Sequence, residues 1–194
     1  MFEISPDDIA QLDDRQLREL VALLCEAELR SKKYSTAAVT WGGDQNAQDG
    51  GLDVRVNLPP GYPIDGYVPR CVTGYQVKKQ DMPPREILGE MSPKGRLRPA
   101  IRELANCGGA YVIVSSEGST ADVALKRRLD AMAAAAQELN GRLAIDFFDR
   151  TRLATWIRNH AGLIVWVRRT IGRAIPGWEP FGPWAYPSAG IQAE

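Results

Sequence analysis

From Asp13 onward the apolar positions recur with the period of a helix. Leu17, Leu20, Val21 and Leu24 fall on one stripe, and Asp13 with Gln16 three residues later makes a capping-box pattern at its start. Glu28 continues that stripe, whereas Glu19 and Glu26 lie on the opposite side of the helix. A carboxylate at the end of a core-facing stripe needs a cation or a hydrogen-bond donor, because burying it alone is costly.

The period then shortens to two. A strand is predicted over 37–41, followed by a polar, glycine-rich turn. Over 52–58 Leu52, Val54 and Val56 share one face, and Asp53, Arg55 and Asn57 share the other. Pro59, Pro60, Gly61 and Pro63 end that strand. A further strand over 71–79 sets Tyr75 and Val77 against Gln76 and Lys78. Helical stretches follow at 85–91 and 98–106, separated by Pro93 and Gly95. The continuous apolar run at 110–115 is that of a strand buried on both faces. Thr120 is expected to cap an alanine-rich helix reaching about residue 139, ahead of a buried strand at 143–148 and a final short helix at 150–159. This order predicts an α/β sandwich with a mixed sheet. Residues 1–175 read as one domain. Residues 176–194, rich in Pro, Gly and aromatics without any period, read as a linker or docking arm leading to further domains.

Composition narrows the function. The 194 residues are 44% hydrophobic and 25% charged, the balance of a globular chain with a core rather than a disordered one. Lys+Arg and Asp+Glu are both 24, so a globally basic nucleic-acid coat is excluded and any phosphate contact must come from a local patch. No apolar run approaches the roughly 18 residues of a membrane span. The acidic N-terminus lacks a signal peptide's features, and three widely spaced cysteines suggest neither a disulfide framework nor a zinc knuckle. The expected location is the cytoplasm.

The chemistry gathers around Asp53 and Gln76-Val77-Lys78. If these strands pair, their polar faces coincide and bring a carboxylate, an amide oxygen and an ammonium to one edge of the sheet. Glu28 is expected to complete the group from the helix. Hard cations such as Mg²⁺ take oxygen ligands of this kind. A lysine beside the metal can orient or deprotonate a water, or stabilise charge on a phosphate. Lys94, Arg96, Arg98 and Arg102 form a candidate phosphate-contacting patch, with a solvated helix surface as the alternative. Lys126, Arg127 and Arg128 read as an exposed helix face, Trp41 as a core residue rather than a base-stacking one, and His160, the single histidine, as a helix cap.

The segment Asp49-Gly50-Gly51-Leu52-Asp53, followed by Tyr75-Gln76-Val77-Lys78, resembles the PD-(D/E)xK nuclease superfamily. It is most similar to the Mrr-like branch, where Gln replaces the acidic residue before the lysine. The resemblance covers roughly residues 13–160 and implies a restriction-endonuclease-like three-layer sandwich, a central mixed β-sheet flanked by helices. It implies that Asp53 binds metal, that Gln76 takes the second ligand position, that Lys78 is the catalytic lysine and that Glu28 is the helix carboxylate, with Glu19 as its rival. Leu52 rather than proline precedes Asp53, and an amide is a weaker metal ligand than a carboxylate. The implied activity is Mg²⁺- or Mn²⁺-dependent cleavage of double-stranded DNA by an effector module in defence against phage or foreign DNA, as a homo-oligomer or fused to a regulatory NTPase or sensor domain. The alternatives are a nuclease-like module that binds nucleic acid or protein without cutting, and a ribonuclease.

Overall fold

The leucine stripe of the first long helix finds its partner in a five-stranded sheet. The computed structural model describes residues 3–42, 52–118 and 120–179. A short helix α1 (Pro6–Ala10) precedes α2 (Asp14–Ser31), and each opens on a reciprocal capping box, Ser5 with Asp8 and Asp13 with Gln16. Such boxes satisfy amide donors that a helix start otherwise leaves orphaned. Leu17, Leu20, Val21 and Leu24 are fully buried, as their spacing predicts. Each contributes about 1.5–3 kcal/mol by leaving water.

The strands are β1 (Val39–Trp41), β2 (Val54–Asn57), β3 (Val72–Lys78), β4 (Ala110–Ser115) and β5 (Ala144–Phe148), and their spatial order follows the chain. The pairs β1–β2 and β2–β3 are antiparallel, whereas β3–β4 and β4–β5 are parallel. Parallel neighbours need crossovers. Helices α3 (Pro84–Met91) and α4 (Pro99–Asn106) supply the first, and α5 (Asp122–Ala135) the second. Helices α6 (Arg150–Arg158) and α7 (Ala161–Thr170) follow β5.

The alternation of strand side chains divides the core. Val54, Val56, Tyr75, Val77, Val112, Val114 and Phe148 pack with α1, α2, α6 and α7. Tyr111, Ile113 and Phe147 pack with α3, α4 and α5 on the other face. The molecule is thus an α/β fold whose mixed sheet carries helices on both sides. Gly74 faces the second layer, where a Cβ would come within 2.6 Å of Leu52 and 2.8 Å of Leu104, so both leucines close down on the strand.

Several expectations are corrected. The chain forms two helices that the apolar pattern did not announce, α1 and α7, and the buried Ile164 and Val167 of α7 join the core. Thr120 does not cap α5. Its amide and hydroxyl donate to Asp149 Oδ2 at 2.8 and 3.0 Å, and Ala121 is the cap residue. Arg128 is buried, not exposed, because it donates to the Met82 carbonyl at 3.0 Å and to Asp81 at 2.8 Å. Trp41 is 42% exposed rather than in the core, since it ends a three-residue edge strand. Asp49, Gly50 and Gly51 of the turn, and residues 180–194 of the expected arm, lie outside the described residues. No helix among the described residues is long and apolar enough to cross a membrane.

Candidate active site

The antiparallel register pairs Val54 with Tyr75, which sets Asp53 beside Gln76 where β2 begins and β3 ends. The Asp53 amide donates to the Tyr75 carbonyl at 2.8 Å. Its carboxylate Oδ2 accepts two bonds, from the Val77 amide at 2.7 Å and from Gln76 Nε2 at 2.9 Å. Two donors on one oxygen lock the carboxylate's orientation. Among the described residues, Oδ1 is paired with the Arg18 guanidinium at 3.7 Å. Arg18 comes from the first turns of α2, where its Nε donates to the Asp14 carbonyl at 3.0 Å. Asp14 Oδ1 in turn accepts from the Lys79 amide at 3.1 Å, tying the helix start to the end of β3.

Burial pushes the Asp53 carboxyl above its ordinary value; the Val77 amide, Arg18 and Lys78 pull it back only in part, and Glu90 adds to the rise. Glu90, on α3, is the group's unforeseen member. Its Oε2 lies 3.2 Å from Lys78 Nζ, and its Oε1 accepts from Arg98 Nη2 at 2.9 Å. Tyr111 follows from the neighbouring strand, on the face that Gln76 and Lys78 share. Its hydroxyl is buried without a hydrogen-bond partner among the described residues, and burial, then the Glu90 charge, holds the phenol well above its ordinary range.

Sequence spacing brings Asp53, Gln76 and Lys78 to one place, but Glu28 goes elsewhere. The Glu28 Oε2 accepts from the Trp156 indole at 3.3 Å and lies 3.6 Å from His160 Nε2. The physical reason is the strand's period of two. Tyr75 and Val77 face α2, so the stripe that Glu28 continues is aimed at the face opposite Gln76 and Lys78. Glu19 and Glu26 are half-buried rather than in open solvent, and Glu26 lies 4.0 Å from Arg30. His160 occupies the cap position of α7 but makes no side-chain cap bond there.

The basic patch is also partly spent. Arg98 is held by Glu90, and Arg102 pairs with Glu138 at 2.9 Å. Lys94 and Arg96 are exposed, with no ion pair among the described residues. Arg18, Glu90 and Tyr111 escaped the sequence reading. Each reaches the site from a separate element, and no short motif links any of them to Asp53 or Lys78.

Among the described residues no three His, Cys, Asp or Glu side chains converge as a metal cluster. One oxygen of this group suits a hard cation as it stands: Asp53 Oδ1 has, among the described residues, the Arg18 guanidinium at 3.7 Å and no closer partner. The Gln76 amide turns Nε2, not Oε1, toward Asp53, and its Oε1 is buried with no hydrogen-bond partner among the described residues, so it would join Asp53 on a cation only with the amide turned over. Comparison with family models, curated proteins and solved structures finds no match to this chain.

Proposed function

We propose that this chain is a metal-dependent endonuclease that hydrolyses DNA phosphodiester bonds, built on a restriction-endonuclease-like version of its α/β fold. The observation that carries this reading is the hydrogen-bonded Asp53–Gln76 pair with the Lys78 ammonium beside it at the end of one strand pair. Asp53 and, with its amide turned over, Gln76 would hold Mg²⁺ or Mn²⁺, which when bound polarises a phosphoryl oxygen and acidifies a water. The Val77 amide keeps the Asp53 carboxylate from rotating, so its other oxygen is oriented before substrate arrives. Lys78 offers a partly exposed ammonium to the phosphate's developing charge or to the attacking water. Arg18, on the other side of Asp53, offers a second cation to the same backbone.

The resemblance to Mrr-like nucleases supports double-stranded DNA as the substrate and a role against phage or foreign DNA in the cytoplasm. A net charge of zero supports an affinity shared with a second copy, or with a fused sensor or NTPase domain.

Supercoiled plasmid and a structured RNA, each incubated with Mg²⁺ and with chelator, test the reading. Nicked or linear plasmid only in Mg²⁺ is the expected result. Cutting of RNA alone makes the protein a ribonuclease, and DNA retention in a gel shift without any cutting makes it a binding module. Either outcome overturns the proposal.

A further inference from the structure

Glu90 is more buried than the cations it holds. Its side chain is 15% exposed, against 26% for Lys78 and 28% for Arg98. Each of its oxygens serves one cation, and Arg98 is fastened to the same helix end in three ways. The Arg98 amide donates to the Met91 carbonyl at 3.0 Å, its Nε donates to the Glu90 carbonyl, and its Nη2 donates to the Glu90 carboxylate. Arg98 therefore caps the end of α3, where carbonyls lack helical partners, and in doing so fixes Oε1. The intervening turn is tight, with Lys94 at φ 56° and Gly95 at φ 73°. With Oε1 fastened, Oε2 is a stationary acceptor aimed at Lys78.

A lysine on four flexible carbons does not hold still unaided. The other carboxylate acting in this site is Asp53, whose Oδ1 is paired, among the described residues, only loosely with Arg18, at 3.7 Å. Without Glu90, the Lys78 ammonium is free to fold onto that oxygen, where it neutralises the group a cation or a phosphate approaches. We propose that Glu90, anchored by Arg98, is a positioning residue that holds the Lys78 ammonium away from Asp53 and aimed at the substrate phosphate. This rests on the hydrolytic reading above.

Glu90→Gln is the test, because it keeps the side chain's volume and an oxygen for Arg98 while removing the charge that attracts Lys78. Misplacing a reacting group by an ångström costs up to about 100-fold in rate. The expected result is a kcat lower by about 10- to 100-fold with a KM for DNA that does not rise, and partial recovery in Glu90→Asp, which restores the charge. A residue that only supports the fold gives instead a lower Tm and an unchanged kcat below that Tm, which overturns the proposal. A second measurement needs no cleavage: acetylation of Lys78 by acetic anhydride on the folded protein, read by mass spectrometry against Lys79. Glu90→Gln is expected to accelerate Lys78 several-fold and leave Lys79 unchanged; equal Lys78 rates in both proteins overturn the pairing. If the wild-type protein cuts nothing, the hydrolytic reading fails on its own, and the acetylation ratio still reports whether Glu90 holds Lys78.

Discussion

A helix glutamate on each face of the sheet, Glu28 and Glu90, keeps different company. Glu28, on the α2 face, meets an indole and an imidazole. Its partner Trp156 is fully buried and stacks on Tyr67 at a centroid distance of 4.8 Å, with Tyr75 and Phe148 close by. Glu90, on the α3 face, meets the Lys78 ammonium and the Arg98 guanidinium. The first environment is a wall of aromatic surface with a few polar ties. The second is a chain of alternating charge from Arg98 through Glu90 to Lys78, with Arg18 and Asp53 paired beside it. Aromatic burial fixes where α6 and α2 lie, while the ionic face leaves charged donors at the surface. The same residue type is thus a packing contact on one face and part of a candidate reaction centre on the other. The face of the strand it is presented to decides which.

The largest effect should come from the ionic face. Lys78→Ala removes the ammonium aimed at phosphate, and losing a positioned acid–base or electrostatic group costs about 10²- to 10⁴-fold in rate. The side chain is partly exposed, so the Tm should move by only about 2 °C. Plasmid cleavage and a thermal melt on the same sample check both halves. Wild-type cleavage in this variant removes the chemical distinction between the faces.

Trp156→Ala should do the reverse. Emptying a fully buried aromatic site costs about 3–5 kcal/mol, which lowers Tm by about 10 °C in a chain of this size. Below that melting point the cleavage rate per folded molecule should stay at the wild-type value. A kcat that falls while the protein is still folded would couple the two faces.

How much of this was legible in the sequence follows from what each signal measures. Alternation over Asp53–Asn57 and Tyr75–Lys78 located both faces of β2 and β3, because side-chain direction in a strand is local. The run at Ala110–Ser115 located β4, which is buried along its whole length. The stripe on α2 gave the correct phase, but phase says only which side of a helix is buried. Which side of the sheet the helix then covers is a property of the topology, and the topology sets Glu28 on the face away from Gln76 and Lys78. Arg128 failed for a similar reason. Its spacing on α5 suggested solvent, whereas its partners Asp81 and Met82 lie more than forty residues away in the chain. Glu90 and Arg98 stand on either side of a Pro93 break that reads as an interruption, and the interruption is what folds one back onto the other.

A smaller effect separates the structural face by pH. Asp8 of α1 accepts from the Ser5 amide and hydroxyl at 2.9 and 2.8 Å and pairs with Arg173 at 2.8 Å. Burial alone would raise this carboxyl. The Ser5 bonds, then Arg173 and Arg168, outweigh it and leave the pKa below the ordinary 3.8. A carboxyl lowered in the folded state stabilises the protein above its unfolded pKa, and that contribution disappears as pH falls through the folded one. Asp8→Asn should therefore cost about 1–2 kcal/mol at pH 7, and the difference from wild type should shrink as pH drops below 3.8. Urea unfolding of both proteins across that range gives the sign directly, and a cost that grows toward acid contradicts it.

The smallest expected change is the most discriminating. Glu28→Gln retains an oxygen for the Trp156 indole and removes only the charge facing His160. One hydrogen bond weakens from charged to neutral, a loss of about 1 kcal/mol or less. Since the stripe of Glu28 packs on the face turned away from Gln76 and Lys78, the cleavage rate should be unchanged within error. Glu90→Gln, an identical chemical change on the opposite face, should lower it 10- to 100-fold. Two isosteric substitutions of the same residue type thus isolate the effect of location from the effect of charge. Equal losses of kcat in the two variants would mean that the Glu28 carboxylate reaches the reacting phosphate after all, and that the strand's two faces are not the boundary between packing and chemistry.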